Sequence, residues 1–361
     1  MAQRLETYRA IAKILSPETQ AKELETILQN PDFDWDAIVV EGSGHLMLPA
    51  LYCNLKRKGL LRTLPEELDE YLEEITAINR NRNKAIVVQI KTITELFNTQ
   101  NINYVLLKGT ALLMAEVYED PAERMIGDID ILVAEDQLNK AFELLQRHGY
   151  TPIETTFGAD YVEHKHLPRL KTRDYMAAVE LHRKLFMNYD HDVLQPSAIL
   201  EQKQEHHGIW VPSGHQLLLH NILNFQISDY GHLFKAIGFK TIYDHLIITK
   251  RFDAHLKDED LKVPAIASFV KYHKVFFSSE LRTIPLALGS RERKLLELRL
   301  RYNTLNRWRY RSLYTLNYLK EISSRVGFVL TKKAYRKSLW ADRQRIMYTL
   351  KQQILHNKPP H

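Results

Sequence analysis

The hydrophobic pattern of this 361-residue chain changes its period twice, and this change constrains the fold more than any other feature. Residues 1–100 repeat apolar side chains at intervals of three and four, which is typical of amphipathic helices. From about residue 102 short β-branched and aromatic runs alternate with helical segments, and helical spacing returns after about Pro196. The pattern therefore predicts an α+β protein, with a small mixed sheet between two helical regions.

We divide the chain accordingly into an N-terminal helical region (1–100), a mixed core (101–195) and a C-terminal helical region with a basic end (196–361). Segment 66–99 has one polar and one apolar side, which predicts one or two helices. Core strands are expected over 102–107, 129–133, 150–154, 160–167 and 176–181, with helices over 110–118 and 135–147. Further helices are expected over 215–225, 234–249, 291–319 and 332–355.

Cysteine content and apolar runs indicate the kind of compartment in which the chain works. Cys53 is the single cysteine, so an intramolecular disulfide is excluded and a reducing environment is favoured. Residues 1–10 lack the apolar centre of a signal peptide. No apolar run approaches the roughly 18 residues of a membrane span. We therefore expect a cytoplasmic protein.

The charge is divided unevenly along the chain. Residues 290–361 contain 18 Lys and Arg against 4 Asp and Glu, a net charge of +14, whereas residues 1–289 carry −8, for +6 overall. Such a basic end attracts polyanions. RNA or another polyanion is therefore a candidate partner.

Asp128 and Asp130 stand two residues apart at the start of a predicted strand. Side chains two apart on a strand project to the same face, so both carboxylates point one way. Adjacent anionic oxygens suit Mg²⁺ or Mn²⁺, and they repel each other unless a cation lies between them. The alternative is a chance match at the end of a surface strand. The apolar run 131–133 favours a core strand and hence a metal site.

A Lys-Gly-Thr triplet, Lys108 to Thr110, follows the first strand and opens a helix. Gly109 lets the backbone approach a ligand closely, and the N–H groups at a helix N-terminus favour an anion. Arg124 could hold a phosphate through two hydrogen bonds. The alternatives are a surface turn lysine at 108 and an arginine paired with the acids at 119–120.

Glu180 is a lone acid in the apolar strand predicted over 176–181. A carboxylate in a core strand needs a partner that offsets the loss of its hydration. A metal ion shared with Asp128 and Asp130 would be such a partner. The alternative is a glutamate on a strand face open to water.

Taken together, these segments resemble the uncharacterised nucleotidyltransferase family of bacteria, within the DNA polymerase beta-like nucleotidyltransferase superfamily. The superfamily pattern is a glycine followed by Gly or Ser, then an Asp-x-Asp strand, then a third carboxylate on a later strand. Thr110 departs from this pattern at the second position. The resemblance covers roughly residues 36–250, and its segments are 44–52, 107–110, Arg124, 127–133, 149–150 and 179–182.

The resemblance implies a small mixed-sheet nucleotidyltransferase core that transfers a nucleotide from an NTP to an unidentified hydroxyl and releases pyrophosphate. It implies two bound divalent ions, Mg²⁺ or Mn²⁺. Glu180 would also help to remove the proton of the acceptor hydroxyl. The implied metal ligands and catalytic residues are Asp128, Asp130 and Glu180, and the implied phosphate-binding residues are Lys108, Gly109, Thr110 and Arg124.

Several alternatives remain open from the sequence. A toxin-like nucleotidyltransferase that acts on tRNA fits the same residues, as does a catalytically silent nucleotide- or RNA-binding protein, which the presence of all three carboxylates disfavours. His164, His166 and His182 could form a zinc site, although we prefer that they line the cleft or orient Glu180.

The run Arg307 to Arg311 alternates arginine with Trp and Tyr. It could bind nucleic acid, an anionic lipid surface or a protein. It could also be a solvated helix face with inward aromatics, which is our first interpretation.

Overall fold

A computed structural model describes residues 4–153, 164–187, 193–344, 346–348 and 351 of the chain. It confirms the α+β class. A five-stranded mixed sheet lies between helical segments that precede and follow it in the sequence.

The helices before the sheet pack around a continuous apolar core. Their bounds are α1 Arg4–Leu15, α2 Ala21–Leu28, α3 Trp35–Gly44, α4 Leu48–Arg57 and α5 Glu66–Thr99. Segment 66–99 forms one helix of 34 residues, because neither proline nor glycine interrupts it. Its buried stripe contains Ile86, Ile90, Ile93 and Phe97, spaced by four, three and four residues.

The sheet has the strand order β1-β2-β5-β4-β3. Only β2 and β5 are neighbouring parallel strands, and the other neighbouring pairs are antiparallel. The elements of this part are β1 Tyr104–Leu106, α6 Lys108–Met114, β2 Asp128–Val133, α7 Leu138–Arg147, β3 Thr151–Pro152, β4 Leu170–Lys171 and β5 Ala178–His182.

Two expected strands differ from the structure. Of the strand expected over 150–154, residues 150–153 are described, and two of them form β3. The first part of the strand expected over 160–167 lies outside the described residues, and the described part contributes a single bridge from His166 to His182. The fourth strand of the sheet is instead formed by β4, where Leu170 pairs with Val179 of β5.

Helices dominate after the sheet. A helical segment with wider turns, Asn224–Ser228, continues α9. Although α5 and α14 are long, no helix in the described ranges combines the length and the apolar character needed to cross a bilayer. The elements are α8 Pro196–Glu201, β6 Gln204–His206, β7 Ile209–Val211, α9 Gly214–Leu223, α10 Gly231–Phe234, α11 Phe239–Phe252, α12 Pro264–His273, α13 Ser290–Arg301, α14 Asn303–Thr331 and α15 Lys333–Ala341.

Candidate active site

Three carboxylates project from one face of the two parallel strands. Asp128 and Asp130 are two residues apart on β2, and Asp130 pairs directly with Glu180 of β5. Asp130 and Glu180 are only 2% and 4% exposed, whereas Asp128 is half-buried at the start of its strand. The strand register therefore brings the three acids predicted from the sequence to one place.

Asp130 is held by two partners. The Lys108 ammonium lies 2.5 Å from Asp130 Oδ1, and His182 Nε2 donates to the same oxygen at 2.8 Å. Burial favours a protonated Asp130, but the hydrogen bond from His182 and the charge of Lys108 outweigh it and hold the pKa of Asp130 well below its usual range. Asp130 is therefore ionised at neutral pH.

Arg169 bridges the other two acids. Its Nη2 donates to Asp128 Oδ2 at 2.7 Å, and its Nε donates to Glu180 Oε1. Burial opposes ionisation of Glu180, but the hydrogen bonds from His182 and Arg169 lower the pKa of Glu180 to about 2. Asp128 behaves differently, because burial and the charges of Asp130 and Glu180 raise its pKa.

The donor set suits a divalent cation. Within the part of the chain that the structure describes, Asp130, Glu180 and His182 offer ligand atoms that all lie within 4.8 Å of one another. Asp128 adds a carboxylate on the same strand face. Carboxylate oxygens are the ligands that Mg²⁺ prefers, and an imidazole is compatible with Mn²⁺. Arg169 and Lys108 balance the charge of these acids in the structure, as a metal ion would.

The junction between β1 and α6 directs Lys108 at the acids. Lys108 has a left-handed backbone with φ of 51°, which costs a non-glycine residue roughly 1–2 kcal/mol. Strain of this kind is typical of functional sites. Gly109 follows it, and a Cβ there would lie 3.3 Å from Ile126 and 3.8 Å from the Arg124 guanidinium. The absence of a Cβ therefore lets the backbone approach Ile126 closely, with the Arg124 guanidinium beside it.

Thr110 and Arg124 have different positions in the site. Thr110 is fully buried, and its hydroxyl donates to the Leu107 carbonyl at 2.7 Å, away from the cleft. Arg124 lines the cleft, and its Nε donates to Asp244 Oδ2 at 3.1 Å. Burial alone would lower the pKa of Arg124, but the negative charge of Asp244 outweighs burial and raises this pKa above its usual value. Arg124 thus pairs with Asp244 of α11, and neither Glu119 nor Asp120 is its partner.

A cleft of about 210 Å³ separates this strand face from the helices that follow the sheet. On the helical side the Lys240 ammonium makes no hydrogen bond or ion pair within the described ranges. The charge of Arg124, together with burial, lowers the pKa of Lys240. The same side includes His220, whose buried Nε2 has no partner among the described residues. Burial and then the charge of Lys108 lower the pKa of His220 to about 3.

Two residues of the site were missed in the sequence analysis. Arg169 lies just before β4, and only the pairing of β4 with β5 places it beside Glu180. Lys240 lies on α11, which is distant in sequence from the strands, and no local motif marks it. Of the three histidines discussed above, His182 makes the closest contact with Glu180, at 3.2 Å from Oε2. His166 lies 3.6 Å from the same oxygen.

Comparisons with known proteins bear on the family of this chain. A family model described as "Uncharacterised nucleotidyltransferase" matches residues 31–268, about two thirds of the chain. No match is found among curated proteins. Among solved structures, the chain is similar to an antigenic nucleotidyltransferase-like protein from Paracoccidioides brasiliensis, with 16% identity and a TM-score of 0.37. That alignment covers 58% of this chain and 96% of the other.

Proposed function

Because this chain belongs to the uncharacterised nucleotidyltransferase family, we propose that it transfers a nucleoside monophosphate from an NTP to a hydroxyl acceptor and releases pyrophosphate. The observation that carries the proposal is the pairing of Asp130 with Glu180 on parallel strands, with Asp128 on the same face and with Lys108, Arg124 and Lys240 in the cleft beside them. We also infer that the family falls within the DNA polymerase beta-like superfamily.

In this reaction the acceptor oxygen bonds to the α-phosphorus while the bond from that phosphorus to the bridging oxygen of the β-phosphate breaks. Pyrophosphate leaves with the electron pair of that bond. The proton of the acceptor hydroxyl passes to a carboxylate of the strand face, and we assign this role to Glu180. Catalysis of this kind depends mainly on positioning and on the stabilisation of charge.

Lys108, Arg124 and Lys240 are the cations that we assign to the triphosphate. All three line the cleft, and Lys240 makes no ion pair within the described ranges. The close approach that Gly109 permits brings the start of α6 beside Arg124. Thr110 would contribute its backbone rather than its hydroxyl, which bonds to Leu107.

Asp128, Asp130 and Glu180 would hold Mg²⁺ or Mn²⁺, which when bound neutralises charge on the triphosphate. His182 would keep Asp130 and Glu180 oriented through the hydrogen bonds already present. In this proposal residues 101–195 form the catalytic core. Residues 196–361 complete the cleft and carry the basic end, where RNA or another polyanion is the candidate partner.

The test is transfer of label from each of the four NTPs, labelled at the α-phosphate, in the presence of Mg²⁺ or Mn²⁺. The candidate acceptors are total RNA, total protein and small-molecule fractions, and release of pyrophosphate is followed in parallel. We expect metal-dependent transfer to one fraction. Transfer to tRNA alone would identify the toxin-like activity.

The control variant is Asp128→Asn with Asp130→Asn, which removes two charges and keeps the side-chain size. Its matched control is Asp136→Asn, an exposed acid just after the same strand. Absence of transfer to every fraction would overturn the enzymatic proposal. Tight NTP binding without transfer would then indicate a nucleotide-binding protein.

A further inference from the structure

Exposed apolar side chains are concentrated at the C-terminal end of the described chain. On α14 a set of large apolar residues faces solvent, and two of them, Trp308 and Leu330, are each 74% exposed. Our first interpretation, with inward aromatic residues, is therefore wrong for Trp308, whereas Tyr310 does pack inward, on Phe234. The set, which we name the α14 stripe, consists of Leu305, Trp308, Leu316, Leu319, Val326 and Leu330.

The α14 stripe occupies one face of its helix. Successive members are separated by three, eight, three, seven and four residues, and each interval is close to a whole number of helical turns. The stripe extends over 25 residue steps, or about 38 Å along the axis. It is therefore a continuous surface rather than a scatter of exposed residues.

A different face of α14 contacts the body of the protein. Tyr310, Tyr314 and Tyr318 stack on one another with ring centroids 6.0 and 6.2 Å apart, and Tyr310 packs on Phe234 at 4.6 Å. Arg309 also donates to the Phe234 carbonyl at 2.8 Å. The tyrosines thus hold the helix against α10 and leave the α14 stripe uncovered.

Cations accompany the stripe. Arg307, Arg311 and Lys320 are exposed on the same helix. The segment 290–361 has a net charge of +14, whereas residues 1–289 carry −8. At 100° per residue, Arg311 and Lys320 lie on opposite sides of the stripe, so the helix combines an apolar face with a cation on each side of it.

We propose that the α14 stripe binds the surface of a membrane rich in anionic lipids. A helix that lies in a lipid interface buries Trp and Leu among the acyl chains, while its Lys and Arg contact anionic head groups. Nucleic acid is less suited to this face, because five of the six stripe residues are aliphatic and cannot serve as stacking platforms in the way that aromatic rings do.

A second copy of the chain is also a poorer occupant of the α14 stripe. Pairing two such helices would bring the flanking cations of both copies together, at an electrostatic cost. An anionic lipid surface instead satisfies the apolar face and the positive charge at once. This inference does not depend on the proposed activity, because none of its residues lies in the cleft.

The test is co-sedimentation of the full-length protein with vesicles of phosphatidylcholine alone and of phosphatidylcholine with phosphatidylglycerol in equal amounts. We expect binding only to the anionic vesicles, weakening as salt is raised. The stripe variant, Trp308→Ser with Leu316→Ser and Leu319→Ser, should bind these vesicles at least about tenfold more weakly.

The matched control replaces three exposed apolar residues of the preceding helices, Val40, Ile78 and Val88, with serine, and should bind as the unchanged protein does. Circular dichroism verifies the folding of both variants. The inference is overturned if the protein ignores anionic vesicles. It is also overturned if the stripe variant binds normally, if RNA is the only polyanion bound, or if the stripe variant merely turns a dimer into a monomer.

Discussion

The two walls of the cleft differ in how their charges are balanced. On the sheet wall every carboxylate has a cationic or imidazole partner, with Lys108 and His182 on Asp130 and Arg169 across Asp128 and Glu180. On the helical wall Lys240 lies close enough to Arg124 for repulsion to lower its pKa. It makes no ion pair within the described ranges. The acids of one wall are held in direct ion pairs, whereas on the other wall Lys240 is balanced only at a distance, by Asp229 and Asp244.

This difference indicates which side chains of the site are available to bind a ligand. Charges that are already paired and hydrogen-bonded need little reorganisation when substrate arrives, which favours catalysis. A lysine that forms no direct ion pair is instead available to bind an incoming anion. We therefore expect substitutions on the sheet wall to affect turnover and those on the helical wall to affect binding of the NTP.

The largest effect is expected for Asp130→Asn. The amide keeps the size of the side chain but removes the charge that Lys108, His182 and a metal ion share. We expect the rate of pyrophosphate release to fall by roughly a thousandfold or more, with little change in KM for the NTP. Asp136→Asn is the control. If Asp130→Asn kept a large part of the activity, Asp130 would have no role in the reaction.

Lys240→Met is the corresponding change on the helical wall. Methionine keeps the apolar stem of the side chain and removes the ammonium group. We expect KM for the NTP to rise about tenfold to a hundredfold while kcat changes little. Lys250→Met, an exposed lysine on the same helix, is the matched control. A fall in kcat with unchanged KM would show that the helical wall affects turnover rather than NTP binding.

The sequence predicted the sheet wall far better than the helical wall, and the reason is physical. Strand alternation places Asp128 and Asp130 on one face from local pattern alone. The sequence predicts only that Glu180 shares a metal ion with Asp128 and Asp130, largely through the resemblance, and its pairing with Asp130 follows from a strand order that is not encoded locally. Arg169 and Lys240 reach the site only through tertiary packing, which brings β4 beside β5 and α11 across the cleft. No spacing rule in one sequence reveals such contacts.

The Thr110 hydroxyl donates to the Leu107 carbonyl at the start of α6. This leaves the backbone of Thr110 for the phosphate, and backbone N–H groups are what the sequence analysis assigned to that role. The Cys53 side chain likewise lies buried, and burial raises the pKa of its thiol to about 12. A buried thiol with a raised pKa is inert as a nucleophile.

Arg169→Met tests whether the sheet wall is balanced by its own cations. Without Arg169, the negative charges of Asp128 and Glu180 repel each other with no cation between them. We therefore expect the free energy of unfolding, measured in chelator, to fall by about 1 kcal/mol. The loss is modest because Arg169 is half-exposed. Mn²⁺ should restore most of it, because a divalent ion balances the same acids. Arg173→Met, an exposed arginine of the same segment, is the control in urea unfolding. A loss that Mn²⁺ does not recover would argue against a metal site at these acids.

The smallest effect concerns His220 on the helical wall. Its folded pKa of about 3 lies below the ordinary 6.5, so between these values the unfolded chain binds a proton that the folded protein does not. The stabilisation from neutral His220 is therefore complete above pH 6.5 and is lost progressively as the pH falls towards 3.

When the pH is lowered from 7 to 5.5, the free energy of unfolding should fall by about 1 kcal/mol more in the unchanged protein than in His220→Gln, since glutamine does not titrate. Urea titrations at the two pH values measure this difference, with the exposed His255→Gln as the control. A bound NTP should reduce the difference, because an anion near Lys108 and Lys240 weakens the repulsion that disfavours a charged His220. Equal pH dependence in all three proteins would mean that the helical wall is open to protons and solvent. The charge of Lys240 would then be screened and would contribute little to NTP binding.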